Sequence, residues 1–136
     1  MTTDNYGKYI LTERGSKPEG NVLPITLEGL KDWGGISHRM EWKFVTAPGV
    51  LMDTPHKHDF DEFLVFLSCT PADELNFEAE IELGLGPDGE RQVITAPTIV
   101  CLPEGLVHGP LTAKRIGTPV LFSHIYLSPE YRRLPA

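Results

Sequence analysis

The densest chemistry in this chain lies in Pro55-His56-Lys57-His58-Asp59-Phe60-Asp61-Glu62-Phe63. Successive side chains of an extended segment alternate between faces. His56 and His58 therefore point the same way, and Glu62, an even number of residues on, joins them. Two imidazoles and a carboxylate on one side suit a borderline divalent cation such as Zn, Fe, Mn, Ni or Co. Lys57, Asp59 and Asp61 are then expected on the other face, where the aspartates orient neighbouring backbone or meet solvent. A second block, Pro103-Glu104-Gly105-Leu106-Val107-His108, sets a lone histidine behind a Pro/Gly turn that follows the apolar run Thr98 to Leu102. Taken singly, His-x-His is equally a surface pair, and His108 is equally a partly buried structural residue.

These residues need rigid elements to bring them together, and the sequence offers strands. Apolar residues recur with period two between Pro and Gly breaks, as half-buried antiparallel strands require. Ser37 to Val45 alternates cleanly, with His38, Met40, Trp42 and Phe44 on one face and Arg39, Glu41 and Lys43 on the other. Phe77 to Leu83 alternates as well, and its Glu78/Glu80/Glu82 stripe reads as a solvated face. Glu62 to Ser68, Thr98 to Leu102 and Val120 to Leu127 are more continuously apolar and read as interior strands. Short strands separated by turn signals such as Gly86-Pro87-Asp88-Gly89 and Gly117-Thr118-Pro119 point to a sandwich or barrel. Helix is expected only as a turn or two over Thr26 to Trp33 and as a short C-terminal helix opened by Ser128-Pro129-Glu130.

The chain has 136 residues, which fits one domain, and 12 Lys+Arg against 19 Asp+Glu give a net charge of −7. That charge repels phosphate backbones and anionic bilayers, so no nucleic-acid and no membrane partner is expected. No apolar run approaches the roughly 20 residues of a membrane span. The segment Met1-Thr2-Thr3-Asp4-Asn5-Tyr6 has no basic region before an apolar one, so a cytoplasmic setting is expected. Cys69 and Cys101 each end an apolar run and read as buried free thiols. Gly-rich phosphate loops and Gly-x-Ser-x-Gly elbows are absent from the sequence, which sets aside nucleotide-dependent and serine-hydrolase chemistry.

Taken together, the two blocks resemble the cupin superfamily. Its first motif, His-x-His followed after three or four residues by Glu, is matched by His56, His58 and Glu62. Its second, Pro-x-Gly-x-x-His, is matched by Pro103, Gly105 and His108. The resemblance covers about residues 36 to 127 and allows for an insertion at Pro71-Ala72-Asp73-Glu74. The family's flanking glycines and closing Asn would fall at Val50, Cys69, Pro97 and Thr112, positions that shape turns; the four ligand positions are all matched.

The resemblance implies an all-β fold, a double-stranded antiparallel β-helix or jelly-roll barrel. Residues 1–35 would form an N-terminal arm or edge strands, 36–127 the barrel and 128–136 a C-terminal turn or short helix. It further implies one divalent transition metal (Fe, Mn, Ni or Zn) held by His56, His58, Glu62 and His108, and a homodimer. His124 alternates with Val120, Phe122 and Tyr126 on the last long strand and is the candidate catalytic residue, as a proton relay, a substrate donor or a partner to a metal ligand; for it and for His38 the alternative is a hydrogen-bonded core or interface histidine. The substrate pocket is expected from His38, Met40, Trp42, Leu64, Phe66, Phe122 and Tyr126, which points to a small, partly apolar, oxygen-bearing substrate. Three histidines and a glutamate beside an apolar wall suit redox-active iron and a dioxygenase-type reaction. An isomerase or lyase, or a non-catalytic ligand-sensing cupin, are the alternatives.

Overall fold

Alternation of large apolar residues with Pro/Gly breaks produces strands throughout. The structure, a computed structural model, describes residues 6, 9–10, 22–28 (backbone only), 38–69, 77–128 and 132–136. Eleven strands appear among them: β1 Val22–Glu28, β2 Arg39–Val45, β3 Gly49–Met52, β4 His56–Lys57, β5 Glu62–Ser68, β6 Ala79–Leu85, β7 Glu90–Ile94, β8 Thr98–Leu102, β9 His108–Ile116, β10 Val120–Tyr126 and β11 Leu134–Pro135. They form two sheets. One runs β1-β2-β10-β5-β8; the other runs β11-β4-β9-β6-β7, with β3 also paired to β9. Every pairing is antiparallel.

The core fills the space between the sheets. Val45, Leu64, Phe66, Val120 and Phe122 enter from the first sheet, and Met52, Ala79, Ile81, Leu83, Leu111 and Ala113 from the second. Phe66 and Phe122, opposite each other on β5 and β10, stack with ring centroids 4.7 Å apart and are fully buried. Each such ring contributes on the order of 3 kcal/mol by removal from water.

Register fixes which residues of the first sheet face inward. Glu62, Tyr126 and Arg39 lie in one transverse row, Leu64, His124 and Glu41 in the next, and Phe66, Phe122 and Lys43 in the third. Side chains paired across strands share a face, so Arg39, Glu41 and Lys43 face inward with the core. Met40 and Trp42 pair with Ile125 and Ser123 on the outer face, and Trp42 is 37% exposed. The expectation that Met40 and Trp42 line the interior is therefore corrected. Alternation separates two faces but does not say which is inside, and in β2 the inner face carries the charges.

Other expectations change too. Residues 26–28 belong to β1, not to a helical turn, while 29–33 lie outside the described residues. The C-terminal segment contains β11 where a turn or short helix was expected; positions 129–131 lie outside the described residues, as do the insertion at 71–74 and most of the arm. Both cysteines are free; Cys101 is exposed because odd-numbered β8 residues face outward, and Cys69, just after β5, is only half-buried.

Candidate metal centre

His56 opens β4 and His108 opens β9, and the two are direct register partners. His58 follows two residues after His56, and Glu62 begins β5. All four are buried. The ring centroids of His56 and His108 are 4.5 Å apart, those of His56 and His58 4.9 Å, and those of His58 and His108 5.1 Å. One ligand atom from each of the three histidines lies within 4.8 Å of the others. The Glu62 Oε2 oxygen sits 3.0 Å from His58 Nε2 and 4.0 Å from His108 Nε2.

Local structure aims these side chains. A bulge on β9 sets two register steps of β6 (Leu83 to Leu85) against three of β9 (His108 to Leu111). The extra residue keeps His108 on the inner face with Leu111 although their numbering parity differs. Gly109 sits in this bulge at φ +107°, and a Cβ there would meet Thr54 O at 3.1 Å and Pro55 Cα at 3.2 Å. The missing side chain thus lets the segment before His56 lie against the residue after His108. The second block is fastened to the first by two bonds: Gly105 N–H donates to His58 O at 2.9 Å, and Glu104 N–H donates to Asp61 Oδ1 at 2.9 Å. Asp61 thereby takes the backbone-orienting role expected for it.

Hydrogen bonding sets the tautomers. His56 Nδ1 lies 2.8 Å from Thr54 O, His108 Nδ1 3.0 Å from Leu106 O, and His58 Nδ1 is bonded to Arg132 O. A carbonyl only accepts, so each Nδ1 carries the proton and donates, and each Nε2 presents its lone pair to the shared space. The Nε2 atoms of His56 and His108 and Oε2 of Glu62 are buried with no hydrogen-bond partner among the described residues. Converging acceptors in a buried space repel unless a proton or a cation sits between them. That is the requirement of a metal site, and the donor set fits a divalent transition ion.

The electrostatics agree. Burial pushes the His56 pKa down to about 4 and moves that of His108 downward, so both rings stay neutral, as ligation requires. Burial works against the Glu62 carboxylate, but the contact with His124 at Oε1 and the surrounding imidazoles outweigh it and hold its pKa down at about 2. His124 Nδ1 lies 3.4 Å from Glu62 Oε1, which leaves Oε2 toward the histidines.

Around the cluster, Tyr126, Leu64, Phe66 and Phe122 are buried on the inner face, and His38 is buried just ahead of β2. The His124 ring lies 4.3 Å from Phe122 and 5.5 Å from Tyr126. Two contributors escaped the sequence reading. Phe60 stacks on His58 at 4.7 Å, and the aromatic between the second His and the Glu was its only signal. Arg132 bonds His58 through its carbonyl and pairs with Asp59 through its guanidinium at 2.7 Å. No local sequence signal marks that contact.

No protein-family model and no curated protein matches the sequence. Solved structures do match by shape. An oxalate oxidase in complex with glycolate matches with a TM-score of 0.57 and 13% identity over 91% of this chain and 59% of that one. Peruvianin-I, a cysteine peptidase from Thevetia peruviana latex, gives 0.64 and 12% over 98% and 80%. Bacillus subtilis oxalate decarboxylase, studied for its Mn(II) centres, gives 0.58 and 14% over 90% and 30%. The chain thus spans about three fifths of the oxidase and under a third of the decarboxylase. A peptidase and two oxalate enzymes on one architecture show that the likeness carries fold and not activity. With two antiparallel sheets and a His56/His58/His108 cluster that fits a cupin metal site, this chain has the cupin fold.

Proposed function

We propose that this chain is a metal-dependent enzyme that acts on a small, partly apolar, oxygen-bearing molecule by dioxygenase-type chemistry. One observation carries the reading: three imidazoles, each with Nδ1 committed to a backbone carbonyl, turn Nε2 toward one buried space that Glu62 Oε2 shares. His56, His58, His108 and Glu62 would hold one divalent transition ion, iron in this reading. Manganese, nickel and zinc are competing occupants, and the Mn(II) centres belong to the decarboxylase neighbour. Held by these four side chains, the ion would supply Lewis-acid and redox chemistry toward an oxygen-bearing substrate.

The chain's own residues do the rest. His124 holds Glu62 through Oε1 and serves as the proton-handling group beside the substrate. Leu64, Phe66, Phe122 and Tyr126 exclude water and shape the apolar wall. His38 is assigned to the same wall. No helix among the described residues is long and apolar enough to cross a membrane. The reading includes a cytoplasmic homodimer.

Elemental analysis of protein purified without a histidine tag or chelator, beside His108→Ala, tests it. About one iron per chain, lost in the variant, together with oxygen consumption on a panel of small substrates, is the expected result. Zinc without oxygen consumption would favour an isomerase or lyase instead. Absence of metal even after reconstitution would overturn the enzyme reading and leave a ligand-binding cupin.

A further inference from the structure

The three imidazoles of the cluster differ in where their Nδ1 acceptors come from. His56 and His108 bond to Thr54 O and Leu106 O, each two residues upstream in the same segment. His58 bonds to Arg132 O, 74 residues further along the chain. That carbonyl belongs to the C-terminal segment, whose strand β11 pairs with β4 through Leu134 opposite Lys57 and Pro135 opposite His56. The side chain of Arg132 is tied to the same place, for its guanidinium meets Asp59 Oδ2 at 2.7 Å, one residue after His58.

The distant acceptor matters because His58 has a competing bond. Its Nε2 lies 3.0 Å from Glu62 Oε2, and the two side chains are only 2% and 1% exposed. With its proton on Nε2, His58 would donate to Glu62 in a charge-assisted bond that takes one lone pair from each of two proposed ligands. That tautomer leaves the Nδ1 lone pair facing Arg132 O, two acceptors in contact away from water. With Arg132 O in place the proton therefore stays on Nδ1, and Nε2 keeps its lone pair. Phe60, stacked on His58 at 4.7 Å, holds the plane of the imidazole, but a face contact does not distinguish which nitrogen carries the proton.

We propose that Arg132 is a positioning residue for the metal centre: its ion pair with Asp59 holds the C-terminal segment where the Arg132 carbonyl selects the His58 tautomer that can ligate. The inference rests on the metal-dependent reading above and completes that site from the far end of the chain. The ion pair is at the surface, with side chains 56% and 44% exposed, so exchanging its charges leaves the core untouched.

The test uses the full chain and zinc. Affinity is read by competition against a chelator dye, and the His58 tautomer from ring nitrogen NMR shifts of the metal-free protein at about pH 9, well above the ordinary imidazole pKa. Arg132→Glu sets two carboxylates against each other and should displace the segment. It also adds negative charge beside the site, which by attraction alone would tighten zinc binding. A loss of about fivefold is expected instead, with the His58 proton moved from Nδ1 to Nε2. Asp59→Lys combined with Arg132→Glu restores an opposite-charge pair in reversed order. It should return zinc affinity to within about twofold of wild type and the proton to Nδ1. Arg132→Gln, which only removes the attraction, decides in place of Arg132→Glu if that variant does not fold. Wild-type protein that takes up no zinc overturns the metal reading and this inference together. A zinc-binding wild type with its His58 proton on Nε2, a single variant that keeps its zinc affinity or its tautomer, or a reversed pair that restores neither overturns this inference and leaves the metal reading standing.

Discussion

At the scale of single residues, the metal-free site is held together by groups that acid must disturb. An unfolded His56 takes up a proton near pH 6.5, whereas the folded ring resists until about pH 4, because burial penalises its charged form. Between those values the unfolded chain binds more protons than the folded one, so acidification favours unfolding. His108 is shifted in the same direction. Glu62 adds a second loss at lower pH, as its folded pKa of about 2 lies below the ordinary carboxylate value of 4.5. Urea unfolding of the metal-free protein should therefore show stability falling by up to roughly 3 kcal/mol from pH 7 to pH 4.5. His56→Asn should flatten much of that slope, and equal wild-type stability at both pH values would refute the account. The histidines and Glu62 were legible because strand parity and the two spacings both concern inward-pointing side chains. Arg39, Glu41 and Lys43 were misread for a physical reason. Both faces of β2 are partly covered, and alternation assigns the apolar face to the interior by default, which fails where the interior hosts a polar site.

At the scale of elements, the site depends on one irregularity. The β9 bulge turns His108 inward, and Gly109 within it lets the chain before His56 approach. Gly109→Ala would impose a side chain at φ +107° and crowd Thr54 O, at a cost of about 1–3 kcal/mol. Gly89→Ala is the matched control: its φ of +65° is also left-handed, but a Cβ there meets nothing within 4 Å. Both variants should lose thermal stability. Only Gly109→Ala should also weaken metal binding, by about tenfold or more in a competition titration against a chelator dye, since it moves His56 relative to His108. Equal metal affinity in the two variants would show that the bulge does not set ligand geometry. The long strands β2, β5, β8 and β10 could be read from the sequence because their alternation or apolar runs extend over five residues or more. β3, β4 and β11 could not, as each is four residues or fewer and is held by its partner strand. β9 was hidden by Pro110, which ordinarily marks a break in a strand and here sits at a bulge.

At the scale of the whole molecule, the outer face of the five-stranded sheet is unusual for a chain of net charge −7. Trp42, Leu67, Ile99 and Leu127 are 37%, 43%, 66% and 48% exposed. Each has the parity or register that points away from the core, beside Met40, Phe63, Val65 and Ile125. Exposed Cys101 lies in the same face. A contiguous apolar surface on a sheet is covered in stable proteins, and a second copy offers a matching apolar face through two-fold symmetry. The proposed homodimer should therefore bury this face. Light scattering at micromolar concentration should return twice the 15.1 kDa chain mass. Ile99→Lys with Leu67→Lys should return a single chain mass, because pairing would bury four unpaired lysines of like charge in one apolar face. Glu62 lies on the other side of the same sheet and His56 and His108 belong to the facing sheet, so no proposed ligand comes from the outer face. Separated chains should accordingly keep their metal stoichiometry. A wild type that runs as a monomer would show that the apolar face serves something other than self-association, while a monomerised variant that loses metal would show that pairing braces β5 and β10 around Glu62 and His124.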